Sequence, residues 1–453
     1  MGTPDRHPQA TDPAPRAPEP HGRRRAVIAA SAGNFVEWYD FGVYGFLAPI
    51  IATQFFPSMS PGAGLMAAFA VFGVAFITRP LGALMFGHLG DRTGRRRALS
   101  AVILLMSVST VAIGLLPSFE TLGLVAPVLL LIARMLQGFS AGGELGGAIA
   151  YVTEHATPRR RGRYGSWVFF TQILGTIAAA ALVTAMTSIL GSAAMAEWAW
   201  RIPFLVALPI GLIGLYLRLA ATETPSFAAL ERSQRVVRMP LWATLTDHSI
   251  ELLQVAGIVV TTTTTMLMVT AFVPAILVQV GGVSSIRALS VSMAGLLVIL
   301  VLCPFLGALS DIVGRKAVML CTPITAIVAA FPVFLLLTSG DAPAALVGGA
   351  LLGLVLAPFA GAGSAALAEL FPTAVRYSGL AVGSAPAIAI AGGLGPVLLT
   401  WLVETTQSLL APAIVLLALG VITFTAVVTM KETAPALQDV TPRAGDDEVV
   451  ALP

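Results

Sequence analysis

The chain has 453 residues, 57% hydrophobic and only 11% charged, with a mean hydropathy of +0.87. A soluble globular domain carries about a quarter charged residues, and disorder needs low hydrophobicity with high charge, so both classes are excluded. The net charge of +3 does not point to nucleic acid, because the 26 Lys and Arg fall in short clusters between apolar runs.

Residues 1–25 are polar and Pro-rich and read as a disordered tail. Gly2 raises N-myristoylation, but Arg6 stands where that motif needs Ser or Thr. The apolar stretch from Ala26 to Phe56 is too long for a cleavable signal core and is expected to stay as a first span. About 20 apolar residues cross a bilayer as a helix. By that measure the sequence predicts six spans at 27–53, 63–87, 98–116, 122–150, 164–190 and 201–219. Six more follow at 252–279, 286–309, 317–338, 343–368, 378–402 and 409–429. The predicted organisation is a helical bundle at 26–221, a linker at 222–250, a second bundle at 251–431 and a tail at 432–453. Pro274, Pro304, Pro358, Pro386 and Pro396 are expected to kink the second half.

Arg79 and Arg134 lie inside spans, and only Arg201 and Arg287 fall on one face, which leaves twenty-two basic residues on the other. The positive-inside rule therefore puts both termini and the linker in the cytoplasm. Cys303 and Cys321 make no metal-ligand pattern and read as reduced packing residues, so no metal is expected.

Two loops repeat. Gly87-x-x-x-Asp91-Arg92-x-Gly94-Arg95 follows the second span, and Gly307-x-x-x-Asp311-x-x-Gly314-Arg315 follows the eighth, 220 residues later. Glu154, Pro158, Arg163 and Tyr164 have counterparts in Glu369, Pro372, Arg376 and Tyr377. The pattern predicts an all-α membrane protein of twelve transmembrane helices in two pseudo-symmetric six-helix bundles. Such parallel halves are a transporter plan with the substrate near mid-membrane. The Asp, Gly and Arg of each loop are expected to form a charged lock that holds the halves in one access state.

Charges inside spans cost roughly 2.5–3.5 kcal/mol each and are functional candidates. In the first span Asn34, Glu37, Trp38, Phe41 and Tyr44 share one helical face, with Asp40 at its border. Phe69, Phe72, Phe76 and Arg79 form a stripe on the second span, and Arg134, Gln137, Ala141 and Glu144 one on the fourth. These stripes are expected to line a shared wet cavity. Glu37, Asp40 and Glu144 are the candidate proton groups, and Asn34, Trp38, Tyr44, Phe72, Arg79, Arg134 and Gln137 the candidate substrate contacts. Gly138-Phe-Ser-Ala-Gly142 matches a hydrolase nucleophile elbow, but that motif needs a strand-to-helix turn with a nearby His and acid. It lies within an apolar span, so no catalytic residue is assigned.

Gly87–Leu99 resembles the signature loop of the major facilitator superfamily. Asn34-Phe-Val-Glu-Trp-Tyr-Asp-Phe-Gly-Val-Tyr-Gly-Phe46, Arg79-Pro-Leu-Gly82, Gln137-Gly-Phe-Ser-Ala-Gly-Gly-Glu144 and Trp200-Arg-Ile-Pro-Phe204 are similar to its metabolite:proton symporter branch. Within that branch Trp401-Leu-Val-Glu-Thr-Thr-Gln407 and Val428-Thr-Met-Lys-Glu-Thr-Ala434 resemble the bacterial proline/glycine betaine carriers. The Thr261–Thr265 run departs from the tyrosines usual there, and Arg134 looks more like the organic-acid carriers. The resemblance implies symport of a small solute with a proton across the bacterial inner membrane, with the bilayer as surroundings and no cofactor, enzyme activity or nucleic acid. The solute is expected to be a proline- or betaine-like osmolyte. An organic acid such as 2-oxoglutarate or citrate is the alternative, and a channel or sensor a remote one.

Overall fold

The computed structural model describes residues 20–93, 95–142, 144, 148–149, 152–153, 156–219, 248–279, 281–371 and 376–438. The side chains of 20–32, 87–99, 218, 376–378, 381, 436 and 438 are not described. The expected tails, apart from a few residues, and nearly all of the expected linker therefore lie outside the described residues.

Among the described residues there are twelve long helices and no strand. The first six are α1 (Pro20–Phe55), α2 (Pro61–Thr93), α3 (Arg95–Leu115), α4 (Val125–Ala141), α5 (Arg161–Ala194) and α6 (Arg201–Leu219). The second six are α7 (Ser249–Leu267), α8 (Ser285–Val313), α9 (Arg315–Leu337), α10 (Ala342–Glu369), α11 (Arg376–Thr406) and α12 (Ala411–Thr429). Lipid offers no hydrogen bonds to a bare backbone, so a chain this apolar must satisfy its peptide groups internally as helices. Among the described residues eight helices are long and apolar enough to cross a membrane, and α3, α4 and α6 contain shorter apolar stretches.

The packing repeats with the sequence. α1 packs on α5, α2 on α4, α3 on α4 and α6, and α1 on α6; each pairing recurs six helices later. Across the halves α2 meets α11 and, by the same symmetry, α8 meets α5. This exchange is the signature of two halves related by a twofold pseudo-axis.

Local features depart from plain helices. Of the span expected at 122–150, α4 covers Val125–Ala141 and residues 148–149 are again helical, with several residues between them outside the described set. Gly142 keeps a helical backbone and presses on the Arg79 carbonyl of α2, where a Cβ would not fit. In α5 Gly191 leaves the helical region (φ 83), close to the expected end at 190. After α7 a π turn spans Met268–Phe272 before helix resumes at Val273–Gln279. Pro274 has no N–H and would clash with the carbonyl four residues back, and the wider turn precedes it. Pro304, Pro358, Pro386 and Pro396 all lie inside helices as expected.

Cys303 is buried between α5, α8 and α10, its thiol donating to the carbonyls of Ser166 (3.3 Å) and Ala360 (3.2 Å). Cys321 is exposed, and both thiols are free. The start of the expected C-terminal tail stays with the bundle. Glu432 caps α9, its carboxylate accepting from the backbone N–H groups of Arg315 (2.8 Å) and Lys316 (3.1 Å).

Candidate functional site

A cavity of about 1230 Å³, counted out to its mouth, lies between the two halves. The first half contributes Trp38, Phe76, Arg79, Phe169 and Gln172; the second contributes Thr262, Thr263, Phe359 and Ser384 among apolar neighbours. Its lining reaches Ile149, Leu367 and Leu380 toward the end of the bundle that carries the basic loops. Phe169 and Phe359, one from each half, meet edge to face at 5.0 Å. Toward the opposite end the halves close: Gly45 packs on Ala271 and Gly73 on the Gly393 backbone.

Arg79 is the one described cation in the lining. Its Nη2 donates to Glu37 Oε1 at 2.6 Å, and its guanidinium lies 4.8 Å over both the Phe41 and Phe76 rings. Glu37 Oε2 and Arg79 Nε are buried and have no hydrogen-bond partner among the described residues. Arg79 thus keeps unused donors next to the cavity.

Of the stripe residues Trp38, Phe76, Arg79 and Ala141 line that cavity, whereas Asn34, Asp40, Tyr44, Phe72, Arg134 and Gln137 are not in its lining and fill the interior of the first half. Asp40 Oδ2 accepts from Thr110 Oγ1 (2.7 Å), which accepts from Gln137 Nε2 (2.6 Å). Gln137 Oε1, its side-chain amide oxygen, in turn accepts from Arg134 Nη1. Arg134 Nη2 also donates to the Phe72 carbonyl (3.2 Å), and the guanidinium sits 4.3–5.1 Å from the rings of Tyr44, Phe72 and Phe41. Aromatic faces attract a desolvated guanidinium, so a buried arginine is accommodated there. Tyr44 donates to the Ala68 carbonyl (3.0 Å) and Asn34 to the Val168 carbonyl (2.6 Å), tying α1 to α2 and α5. Glu144 is fully buried against Gly33 of α1. The reason is geometric: a polar face turned from lipid can meet a cavity or a neighbouring helix, and periodicity does not separate the two.

The Thr run behaves likewise. Thr262 and Thr263 reach the cavity, whereas Thr261 donates to the Leu419 carbonyl (2.8 Å) on α12. Ser140 of the apparent nucleophile elbow donates to the Gln137 carbonyl within α4.

At the basic-loop end the second copy of the repeated motif spans both halves. Asp311 of α8 accepts from the backbone N–H groups of Gly162 and Arg163, both at 2.9 Å, and so caps the amino end of α5. Arg315 pairs with Asp311 (2.7 Å) and with Glu369 (3.2 Å), and Arg161 of the other half approaches Glu369 at 3.6 Å. Gly314 has φ 106, a conformation that side chains disfavour, and so sets the tight α8–α9 turn. Gly94 of the first copy, the surroundings of Gly87 and the side chains of Asp91, Arg92 and Arg95 lie outside the described residues. Sequence reasoning had placed Glu369 only as a repeat match and missed Thr110, Arg161 and Glu432 as partners.

Residues 25–239 match the family described as Sugar (and other) transporter. The chain is 41% identical to the proline/betaine transporter of Escherichia coli, over 93% of this chain and 86% of that protein. It is 40% identical to the glycine betaine/proline/ectoine/pipecolic acid transporter of Dickeya dadantii, over 93% and 86%. A citrate-proton symporter of Klebsiella pneumoniae is 36% identical over 85% and 87%. Among solved structures the proton:xylose symporter XylE superposes with a TM-score of 0.72 at 17% identity, covering 93% of this chain and 99% of that one. With its duplicated halves, its cavity between them and this degree of likeness, the chain belongs to the major facilitator superfamily, in the branch that holds these proline/betaine transporters and the citrate-proton symporter.

Proposed function

We propose that the protein is a proton-coupled symporter that imports a small zwitterionic osmolyte, proline or a betaine, by alternating access across the bacterial inner membrane. The observation that carries this reading is that Arg79 is the one described charged side chain in a cavity otherwise lined by aromatic, aliphatic and a few neutral polar groups. A zwitterion needs one cationic contact for its carboxylate and gives its own cation to aromatic faces such as Trp38 and Phe76. A dicarboxylate or tricarboxylate would need a second cation, and Arg134 is held away from the cavity by Phe72 and Tyr44. The relatives described as proline/betaine transporters support the same choice.

Coupling then follows from competition for one guanidinium. With Glu37 ionised, Arg79 is held by it; with Glu37 protonated, the Arg79 donors turn to the substrate carboxylate. Each proton moved down 100 mV supplies about 2.3 kcal/mol, which sustains more than tenfold accumulation. The basic loops face the cytoplasm with both termini, and the Asp311, Arg315 and Glu369 cluster holds the cytoplasmic end of α5 to the second half.

The test is a competition panel in proteoliposomes under an imposed proton gradient. Unlabelled proline and betaine are expected to displace labelled proline, with 2-oxoglutarate and citrate without effect. Displacement by citrate instead would overturn the osmolyte reading.

A further inference from the structure

Gln172 of α5 is only 5% exposed and lines the cavity between the halves. Its Oε1 is buried and accepts no hydrogen bond among the described residues. An amide oxygen taken from water without a donor is destabilising, so one that persists calls for a role. That oxygen has no part in the chain from Asp40 through Thr110 and Gln137 to Arg134. Asn34 of α1 donates to the Val168 carbonyl of α5, and further along Gly175 packs on the Phe35 carbonyl and the Tyr39 backbone nitrogen. Gln172 lies between these contacts, level with the α1 turn that carries Glu37 and Trp38, and Glu37 holds Arg79.

Two hydroxyls of the second half also line the cavity. Thr262 Oγ1 shares its proton between the Ile258 and Val259 carbonyls (both 3.1 Å), and Ser384 Oγ donates to the Leu380 carbonyl (2.6 Å). A hydroxyl has one proton, so both offer the cavity lone pairs only. Arg79, whose Nε is without a partner, offers donors. These four side chains present one cation and three oxygen acceptors to the solute space.

Proline matches that set, with a carboxylate for the guanidinium and a secondary ammonium whose two N–H groups suit the oxygens. Betaine has the same carboxylate and no N–H. Aromatic faces such as Trp38 and Phe76 attract either cation and do not choose between them. The acceptors do choose, because betaine displaces their water and returns no donor. Resting on the symport reading above, we propose that Gln172 selects solutes whose cation carries N–H. Its Oε1 accepts from the solute ammonium while Arg79 holds the carboxylate, so proline is preferred to a fully methylated betaine. A site that bonds an N–H rejects the analogue lacking it, since its own buried polar groups are then left unpaired.

The test uses proline, N-methylproline and N,N-dimethylproline, which keep the ring and the carboxylate and carry progressively fewer N–H groups. Each is added unlabelled against labelled proline uptake in proteoliposomes under an imposed proton gradient. In the unsubstituted protein the inhibition constant is expected to rise at least about tenfold from proline to N,N-dimethylproline. In Gln172→Leu, of similar volume, proline is expected to bind about tenfold more weakly and N,N-dimethylproline as before, so the ratio of the two constants narrows. That ratio is read within one protein and does not depend on how much of the variant folds. Equal inhibition by all three compounds in the unsubstituted protein would overturn the proposal without recourse to any variant. A ratio unchanged in Gln172→Leu would also overturn it, because the amide would then serve the carboxylate or the packing. Absence of proline and betaine uptake by the unsubstituted protein would instead sink the symport reading, which keeps the two failures apart.

Discussion

Arg79 donates to Glu37 at 2.6 Å across the α1–α2 interface, with the carboxylate fully buried and the guanidinium at the cavity edge. The pair joins the interior of the first half to the space between the halves. Removing one partner of a buried pair leaves the other uncompensated, at about 3–5 kcal/mol. Arg79→Gln is therefore expected to lower the melting temperature in detergent and to abolish proline uptake. The double variant with Glu37→Gln is expected to recover most of the stability and none of the uptake. Recovery of uptake in the double variant would remove Arg79 from the substrate contact.

Thr110 joins Asp40 to Gln137 through one hydroxyl that both donates and accepts. Thr110→Val keeps the shape and leaves two buried polar groups short of a partner, at about 1–3 kcal/mol each. Thermal unfolding is expected to show that loss, and Thr110→Ser is expected to melt close to the unsubstituted protein. An unchanged melting temperature in Thr110→Val would show that Asp40 does not depend on this bond.

Asp311 ties the second half to the amino end of α5, and Cys303 lies at the same helix contact, beside Ser166. The native thiol therefore reports on that contact once exposed Cys321 is replaced by Ser. Removing a helix cap costs about 0.5–2 kcal/mol, so Asp311→Ala is expected to raise the labelling rate of Cys303 by a membrane-permeant maleimide several-fold. Asp311→Asn, which keeps one acceptor oxygen, is expected to fall between. Equal rates in all three proteins would show that the cap does not hold the halves.

The fold was legible because lipid imposes its own ruler. Runs such as 286–309 and 343–368 need about 20 apolar residues, and α8 and α10 cover them. The repeated Asp91 and Asp311 loops announced the twofold pairing that α2–α11 and α5–α8 display. The contact of Gly142 with α2 was not legible, because hydropathy does not register how closely two helices approach. The site was half legible. Periodicity marked Asn34, Asp40, Arg134 and Gln137 as facing inward, yet they bond to neighbouring helices of their own half. Thr110 gave no signal, because a lone hydroxyl in an apolar span ordinarily bonds its own preceding turn. Phe169 and Phe359 became cavity walls only through the meeting of two halves that are far apart in sequence.

The most direct measurement follows pH outside de-energised, right-side-out vesicles after a pulse of betaine or proline. Joint entry of solute and proton through this cavity predicts an alkaline shift that saturates with solute, is abolished in Glu37→Gln, and does not follow a pulse of citrate. Saturable betaine uptake with no pH change, or an alkaline shift that follows citrate alone, would contradict it.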